Sequence, residues 1–82
     1  MDQHRQQIHN RITVIFRDIF EDETLELYDG MTAADIEEWD SLTHITIVVT
    51  CEKEFGIKLN AAEIGKLKTV GEFINTVAER TA

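Results

Sequence analysis

The chain has 82 residues, enough for one domain with a small core, because a chain of this size buries only about 60% of its unfolded surface. With no Pro, four Gly and 43% hydrophobic residues, it has the composition of a globular protein without repeats or low-complexity stretches. No apolar run approaches the roughly 20 residues of a membrane span. We therefore expect one domain over residues 1–82, with no signal peptide or membrane anchor, in the cytosol by default. The single Cys51 excludes an internal disulfide and a cysteine-rich zinc site.

The net charge of −8 lies entirely in the first half of the chain. Residues 1–40 hold eleven acids and three bases, whereas residues 41–82 hold five of each. Residues 18–40 contain ten acids and no base, so this surface repels phosphate backbones and predicts no nucleic-acid binding. It is suited to steering toward basic patches on protein partners, although the same pattern is typical of a solvated acidic loop.

The first 20 residues predict an amphipathic helix, because their apolar residues fall at i, i+4, i+7, i+8 and i+11 on one helical face. These residues are Ile8, Ile12, Ile15, Phe16 and Ile19. Residues 21–40 lose this period and contain the turn signal Asp29-Gly30, which indicates a long connection. We expect five apolar side chains to pin it at intervals: Leu25, Leu27, Tyr28, Met31 and Ile36. Trp39 is expected to be a buried anchor of this loop.

The segment after Ser41 is rich in β-branched residues, which favour strands. Ile47-Val48-Val49 nevertheless breaks the strict alternation of a strand, and a helix would bring four apolar residues into one stripe. They are Ile47, Val48, Cys51 and Phe55. We therefore predict a second helix.

Two capping-box patterns predict two further helices. Asn60-Ala61-Ala62-Glu63 would begin a short third helix that ends near Lys66, and Thr69-Val70-Gly71-Glu72 would begin a fourth. The fourth presents Val70, Phe73, Ile74 and Val77 on one face. The predicted fold class is all-α: a four-helix bundle with a long loop between helices 1 and 2 and a short third helix.

Ser41 lies where the acidic stretch meets the second helix. If Asp40 is the N-cap of that helix, Ser41 occupies its first turn, where unpaired backbone N–H groups and the helix dipole favour an anion. A phosphodiester on Ser41 would be stabilised there. The simpler interpretation is that Asp40 and Ser41 only cap the helix.

Asp40-Ser41-Leu42 matches the Asp-Ser-Leu motif of the acyl carrier protein family, which the chain resembles over most of its length. Glu52–Ile57 is similar to the end of that family's second helix, and Thr69–Phe73 to the start of its fourth. The resemblance implies that the chain is not an enzyme and that Ser41, with Asp40 and Leu42 beside it, carries 4'-phosphopantetheine. A phosphopantetheinyl transferase would transfer this group from coenzyme A, and its thiol would hold an intermediate as a thioester.

The resemblance also implies a docking face on the second helix for acyl-loading and acyl-processing enzymes with basic patches. We assign to it Leu42, Ile45 and Val49, about 120° around the helix from the buried stripe, with Thr43 and Thr46 tuning partner choice. Alternatively, Ile45 and Val49 simply widen the core face. A sheltering cleft for the cargo would involve five residues that serve equally well as core: Ile47, Val48, Ile57, Ile64 and Leu67.

The chain departs from the pattern of fatty-acid carriers, which usually have acids where Thr43 and Thr46 stand. Glu38-Trp39 likewise replaces a small, Gly-containing pair. We therefore expect a free-standing, monomeric carrier of a specialised pathway, polyketide-like or otherwise secondary, rather than of housekeeping fatty-acid synthesis. The alternatives are a peptidyl or aminoacyl carrier, and an unmodified acidic helical adaptor that binds a partner through the second helix.

Other site chemistries have little support in the sequence. A serine hydrolase would need a base, and His44 lies within helical reach of Ser41, but no Gly-x-Ser-x-Gly elbow is present and His44 is expected at the edge of the core. The acidic loop places Leu25, Leu27 and Ile36 where a calcium loop needs ligands, so no metal site is expected. Cys51 is expected to be a small core residue rather than a nucleophile.

Overall fold

The computed structural model describes residues 3–81, which form four helices in the predicted order. They are α1 (Gln3–Phe20), α2 (Ser41–Phe55), α3 (Ala61–Lys66) and α4 (Val70–Thr81), with one 3-10 turn at Ala33–Asp35 between α1 and α2. Residues 3–81 contain no strand, only an isolated antiparallel bridge between Thr32 and Thr69. The predicted all-α fold is confirmed, and α1 begins five residues before the periodic segment at Ile8.

The core lies between α1, α2 and α4. Each contributes the face that its apolar period predicts: Ile8, Ile12, Ile15 and Phe16 from α1, Ile47, Val48 and Cys51 from α2, and Val70, Phe73, Ile74 and Val77 from α4. The short helix α3 has no fully buried residue and lies at the edge of this core. Arg80 of α4 holds α3 and the segment before it in place. Its side chain pairs with the Glu63 carboxylate and donates to the Lys58 carbonyl at 2.9 Å.

The segment after Ser41 is helical in spite of its β-branched residues. Asp40 caps its N-terminus, and Gly56 ends it in the left-handed conformation at φ 66°, with its N–H donating to the Glu52 carbonyl. Ile47, Val48 and Cys51 are buried, and Phe55 is partly buried. Burial of this stripe therefore outweighs the strand preference of the individual residues.

The long connection is pinned at most of the predicted positions. Leu27, Met31 and Ile36 are buried and Leu25 is partly buried, but the prediction for Tyr28 is wrong, since its side chain is 52% exposed. Side chains of successive residues in a non-helical stretch point in different directions, so burial of Leu27 turns Tyr28 toward solvent.

Backbone hydrogen bonds attach the same connection to the start of α4. The Val70 N–H donates to the Met31 carbonyl and the Gly71 N–H to the Asp29 carbonyl, each at 2.9 Å. These contacts hold residues 29–32 beside the N-terminus of α4, and with them the chain that leads to Asp40. None of the helices in residues 3–81 is both long and apolar enough to cross a membrane.

Candidate functional site

Asp40 is the N-cap of α2, as the sequence predicts. Its backbone is extended, and its carboxylate accepts a hydrogen bond from the Thr43 backbone N–H at 2.8 Å. This bond holds the pKa of the exposed Asp40 carboxyl below its usual value of 3.8. The cap fixes Ser41 as the first residue of α2.

The Ser41 side chain is exposed, and within residues 3–81 its hydroxyl has no hydrogen-bond partner. It is the only serine of the chain. The hydroxyl stands at the positive end of the α2 dipole, where a negatively charged substituent is favoured. The Ser41 hydroxyl is therefore accessible for modification, and no internal contact among the described residues depends on it.

The His44 ring does not serve Ser41 as a base. One ring nitrogen, Nδ1, is 3.3 Å from the indole Nε1 of Trp39, and the other, Nε2, is 3.4 Å from the Ile64 carbonyl oxygen. Both nitrogens are thus directed toward other groups, and the imidazole lies partly buried at the edge of the core, as predicted. The arrangement lacks the nucleophile and base contact that a serine hydrolase requires.

A surface cavity of about 690 Å³ adjoins Ser41. It lies between the 3-10 turn, the start of α2 and the end of α3. Its lining comprises Thr32, Ala33, Ala34, Trp39, Asp40, Ser41, His44, Ile45, Ile64, Gly65, Leu67 and Lys68. Any group attached to Ser41 would find this cavity beside its point of attachment.

The cavity differs from the cleft that the sequence suggests. Ile64 and Leu67 line it as expected, but Ile47 and Val48 are 0% and 1% exposed and belong to the core, and Ile57 lies outside the lining. The apolar period of α2 cannot separate a residue that lines a cleft from one that packs beneath it.

Sequence reasoning missed the contribution of the long connection and of the chain after α3. Thr32, Ala33 and Ala34 of the connection line the cavity, as do Gly65 near the end of α3 and Lys68 just after it. The two segments lie close together because the bridge between Thr32 and Thr69 joins them, and no local pattern in the sequence predicts that bridge.

Trp39 is buried, with 5% of its side chain exposed, and anchors the loop as predicted. Its ring meets Phe16 edge-on at 5.4 Å between ring centroids and lies 6.2 Å from Phe73. The His44 ring lies beside it, with 6.2 Å between the ring centroids and 16° between the planes. Trp39 therefore forms the boundary between the cavity and the core.

The predicted docking residues lie on the outer surface of α2, except that Thr43 is partly buried. Leu42, Ile45 and Val49 are 75%, 56% and 41% exposed, so they do not widen the core face. Thr46 is exposed, and its hydroxyl donates to the Leu42 carbonyl at 3.1 Å. Exposed apolar side chains that lie along one face of a helix form a surface suited to a protein partner.

Cys51 is fully buried in the core, as predicted. Burial, with smaller contributions from the Glu54 and Glu52 charges, raises the pKa of its thiol to about 12. The protonated, inaccessible thiol is not a nucleophile. Among residues 3–81 no group of three or more His, Cys, Asp or Glu side chains is arranged to hold a metal ion.

Residues 10–77 match the model of a protein family described as phosphopantetheine attachment site. The chain is 37% identical to the acyl carrier protein of Renibacterium salmoninarum over 60 residues, which are 73% of this chain and 72% of that protein. It is 40% identical to the acyl carrier protein of Arthrobacter sp. strain FB24 over 43 residues, 52% of this chain and 53% of that one. The solution structure of holo acyl carrier protein from Geobacter metallireducens is similar with a TM-score of 0.84 and 36% identity, covering 89% of this chain and 84% of that chain.

Proposed function

The chain belongs to the acyl carrier protein family, and we propose that Ser41 is the residue that carries its 4'-phosphopantetheine group. The observation that supports this assignment is the exposed Ser41 hydroxyl, which has no internal partner within residues 3–81 and stands at the first position of α2 beside a cavity. Members of this family are carriers rather than catalysts. We further infer that residues 1–82 act as one carrier domain that works in the cytoplasm.

The residues around Ser41 fit the group. No side chain covers the hydroxyl, and a phosphodiester there would face the positive end of the α2 dipole. Asp40 would hold the first turn of the helix in place and so present Ser41 to the transferase. When bound, the group supplies a thiol that holds an acyl intermediate as a thioester.

Acyl carrier proteins interact with a phosphopantetheinyl transferase and with enzymes that load and process the acyl group. We infer that these partners dock on the exposed Leu42, Ile45 and Val49, with Thr43 and Thr46 adjusting the contact. The ten acids of residues 18–40 would attract basic patches on those enzymes at long range.

We also infer a specialised biosynthetic pathway, polyketide-like or otherwise secondary. Thr43 and Thr46 leave the first two turns of α2 without acidic side chains after Asp40, and Trp39 fills the position just before the cap with a large buried ring. A partner that recognises this α2 would rely on its apolar face and on the neighbouring acidic connection rather than on carboxylates of the helix itself.

Intact-protein mass spectrometry tests the assignment. Incubation with coenzyme A and a broad-specificity phosphopantetheinyl transferase should add one phosphopantetheine to the native chain and none to Ser41→Ala. Thr50→Ala is the matched control, because it removes a hydroxyl from the same helix outside the inferred docking residues and should still be modified. No addition to folded native protein with several transferases would overturn the proposal in favour of an unmodified adaptor.

A further inference from the structure

The cavity beside Ser41 ends at two aromatic side chains. Trp39 and His44 both line it, and their adjacent rings lie between the cavity and Phe73 of the core. The Phe73 side chain is 1% exposed and lies outside the cavity lining. The interior of the bundle is therefore separated from the cavity by this pair of rings.

The space behind the rings is filled. Trp39 packs edge-on against Phe16, and Phe16 packs edge-on against Phe73 at 6.2 Å between ring centroids. Ile47 and Ile74 are each 0% exposed in the same core. A close-packed interior of this kind has no room for an additional alkyl chain unless a side chain moves.

Moving the Trp39 ring would also break a polar contact. Its indole N–H donates to His44 Nδ1, and the opposite ring nitrogen of His44 faces the Ile64 carbonyl of α3. A displaced indole would leave its N–H donor without this acceptor, which costs free energy if the group stays buried. The hydrogen bonds thus resist the rearrangement that a chain would need to enter the core.

We propose that Trp39 and His44 act as specificity-determining residues that exclude long alkyl chains from the bundle. The cargo is then a short acyl group that stays within the surface cavity, and every further methylene of a longer chain remains in water. This inference rests on the proposed attachment of phosphopantetheine to Ser41. It adds the chemical class of the cargo, which the family alone does not specify.

Stability as a function of chain length tests the proposal. Non-hydrolysable, amide-linked phosphopantetheine analogues carrying acetyl, butyryl, octanoyl or dodecanoyl groups would be transferred to Ser41, with mass spectrometry confirming each product. The proposal predicts that Tm does not increase from butyryl to dodecanoyl. A steady rise with chain length in the native protein would overturn it, because burial of each methylene in the core stabilises the folded state.

Trp39→Leu is the informative variant, since leucine keeps an apolar side chain but leaves room behind the cavity. We expect the Tm of this variant to rise with chain length, whereas the surface control Val14→Ala should behave as the native protein does. If the Tm of Trp39→Leu does not change with the length of the acyl chain, the indole does not exclude the chain from the core.

A second measurement does not depend on the variant. A fluorine label on the last carbon of the dodecanoyl group of the native protein should be broadened by a water-soluble paramagnetic agent as strongly as in the free analogue. Protection of the label would overturn the proposal. If mass spectrometry finds no analogue on Ser41, the attachment assignment itself fails, and the inference about cargo falls with it.

Discussion

The indole N–H of Trp39 donates to Nδ1 of His44 across 3.3 Å, and this contact joins the long connection to α2. Because Nδ1 accepts this hydrogen bond, it carries no proton. The ring proton of the neutral imidazole is then on Nε2, which faces the Ile64 carbonyl oxygen 3.4 Å away. The loop before Ser41, the helix after it and the end of α3 are therefore linked through a single side chain.

Replacement of His44 by leucine should destabilise the protein by about 1–3 kcal/mol, because the buried Trp39 N–H loses its acceptor. Urea unfolding followed by circular dichroism measures the change. In Trp39→Phe/His44→Leu neither polar partner is left, so the double variant should lose less than the sum of the two single variants. If the loss of unfolding free energy in the double variant equals the sum of the losses in the two single variants, the hydrogen bond contributes nothing.

Gly71→Ala should destabilise the fold by about 1–3 kcal/mol, as overpacking does in close-packed sites. A Cβ at this position would stand 3.0 Å from both the Cβ and the carbonyl oxygen of Asp29, and 3.3 Å from its Cα. The Asp29 carbonyl cannot retreat freely, because it accepts the Gly71 N–H at 2.9 Å.

Gly65→Ala is the matched control for that substitution. A Cβ on this helical glycine meets nothing within 4 Å, so the gain in helix propensity should stabilise the protein by up to about 1 kcal/mol. Thermal unfolding of the two variants should therefore move Tm in opposite directions. Equal effects would mean that the contact of Gly71 with Asp29 is not tight.

The sequence predicted what depends on local pattern. The apolar period located the buried faces of α1, α2 and α4, and the Asn60 and Glu63 side chains form the expected reciprocal capping box. The Asp40 cap and the position of Ser41 at the start of α2 follow from the same short-range chemistry. These features could be predicted because neighbours along the chain determine them.

The remaining features depend on contacts between distant segments. The outward turn of Tyr28 depends on how the connection packs, and the wall of the cavity at Thr32 depends on a bridge to Thr69. Likewise, the Trp39 side chain was expected to be buried, but its contact with His44 depends on the crossing of the loop over α2. Neighbours along the chain do not determine these contacts between distant segments, so local sequence patterns cannot predict them.

Asp40→Ala should lower stability more at neutral pH than in acid. The hydrogen bond from the Thr43 N–H lowers the pKa of Asp40 in the folded protein, so its stabilising contribution is present above the unfolded value near 3.8 and is lost as the pH falls through the lower folded value. Urea midpoints of the native chain and the variant should converge in acid. Asp40→Asn, which keeps a cap acceptor without the charge, should show a smaller loss with the same dependence on pH, because both variants lack the carboxylate that titrates in the native chain. A pH-independent loss in Asp40→Ala would refute the role of the carboxylate.

Thiol labelling should separate Cys51 from the carrier thiol. The buried Cys51, with a thiol pKa raised to about 12, should not react with an aromatic disulfide reagent in the native, unmodified protein at neutral pH. One thiol should become reactive after treatment with transferase and coenzyme A, and a second only in denaturant. Ser41→Ala should gain no reactive thiol under the same treatment, and rapid labelling of the native unmodified chain would contradict the burial of Cys51.

Thr46→Glu should improve the use of this carrier by fatty-acid enzymes with basic docking patches. Thr46 is exposed on α2 one turn after Leu42, so a carboxylate there would extend from the docking face beside the apolar side chains. An exposed ion pair contributes ~0.2–1 kcal/mol, which predicts about a 1.4- to 5-fold rise in kcat/KM for acyl loading of the modified protein, diminishing with added salt. Val14→Glu, which places the same charge on an exposed position of α1 away from Ser41, is the control. An equal rise in both variants would show that net charge, rather than a contact at the start of α2, governs recognition by these enzymes.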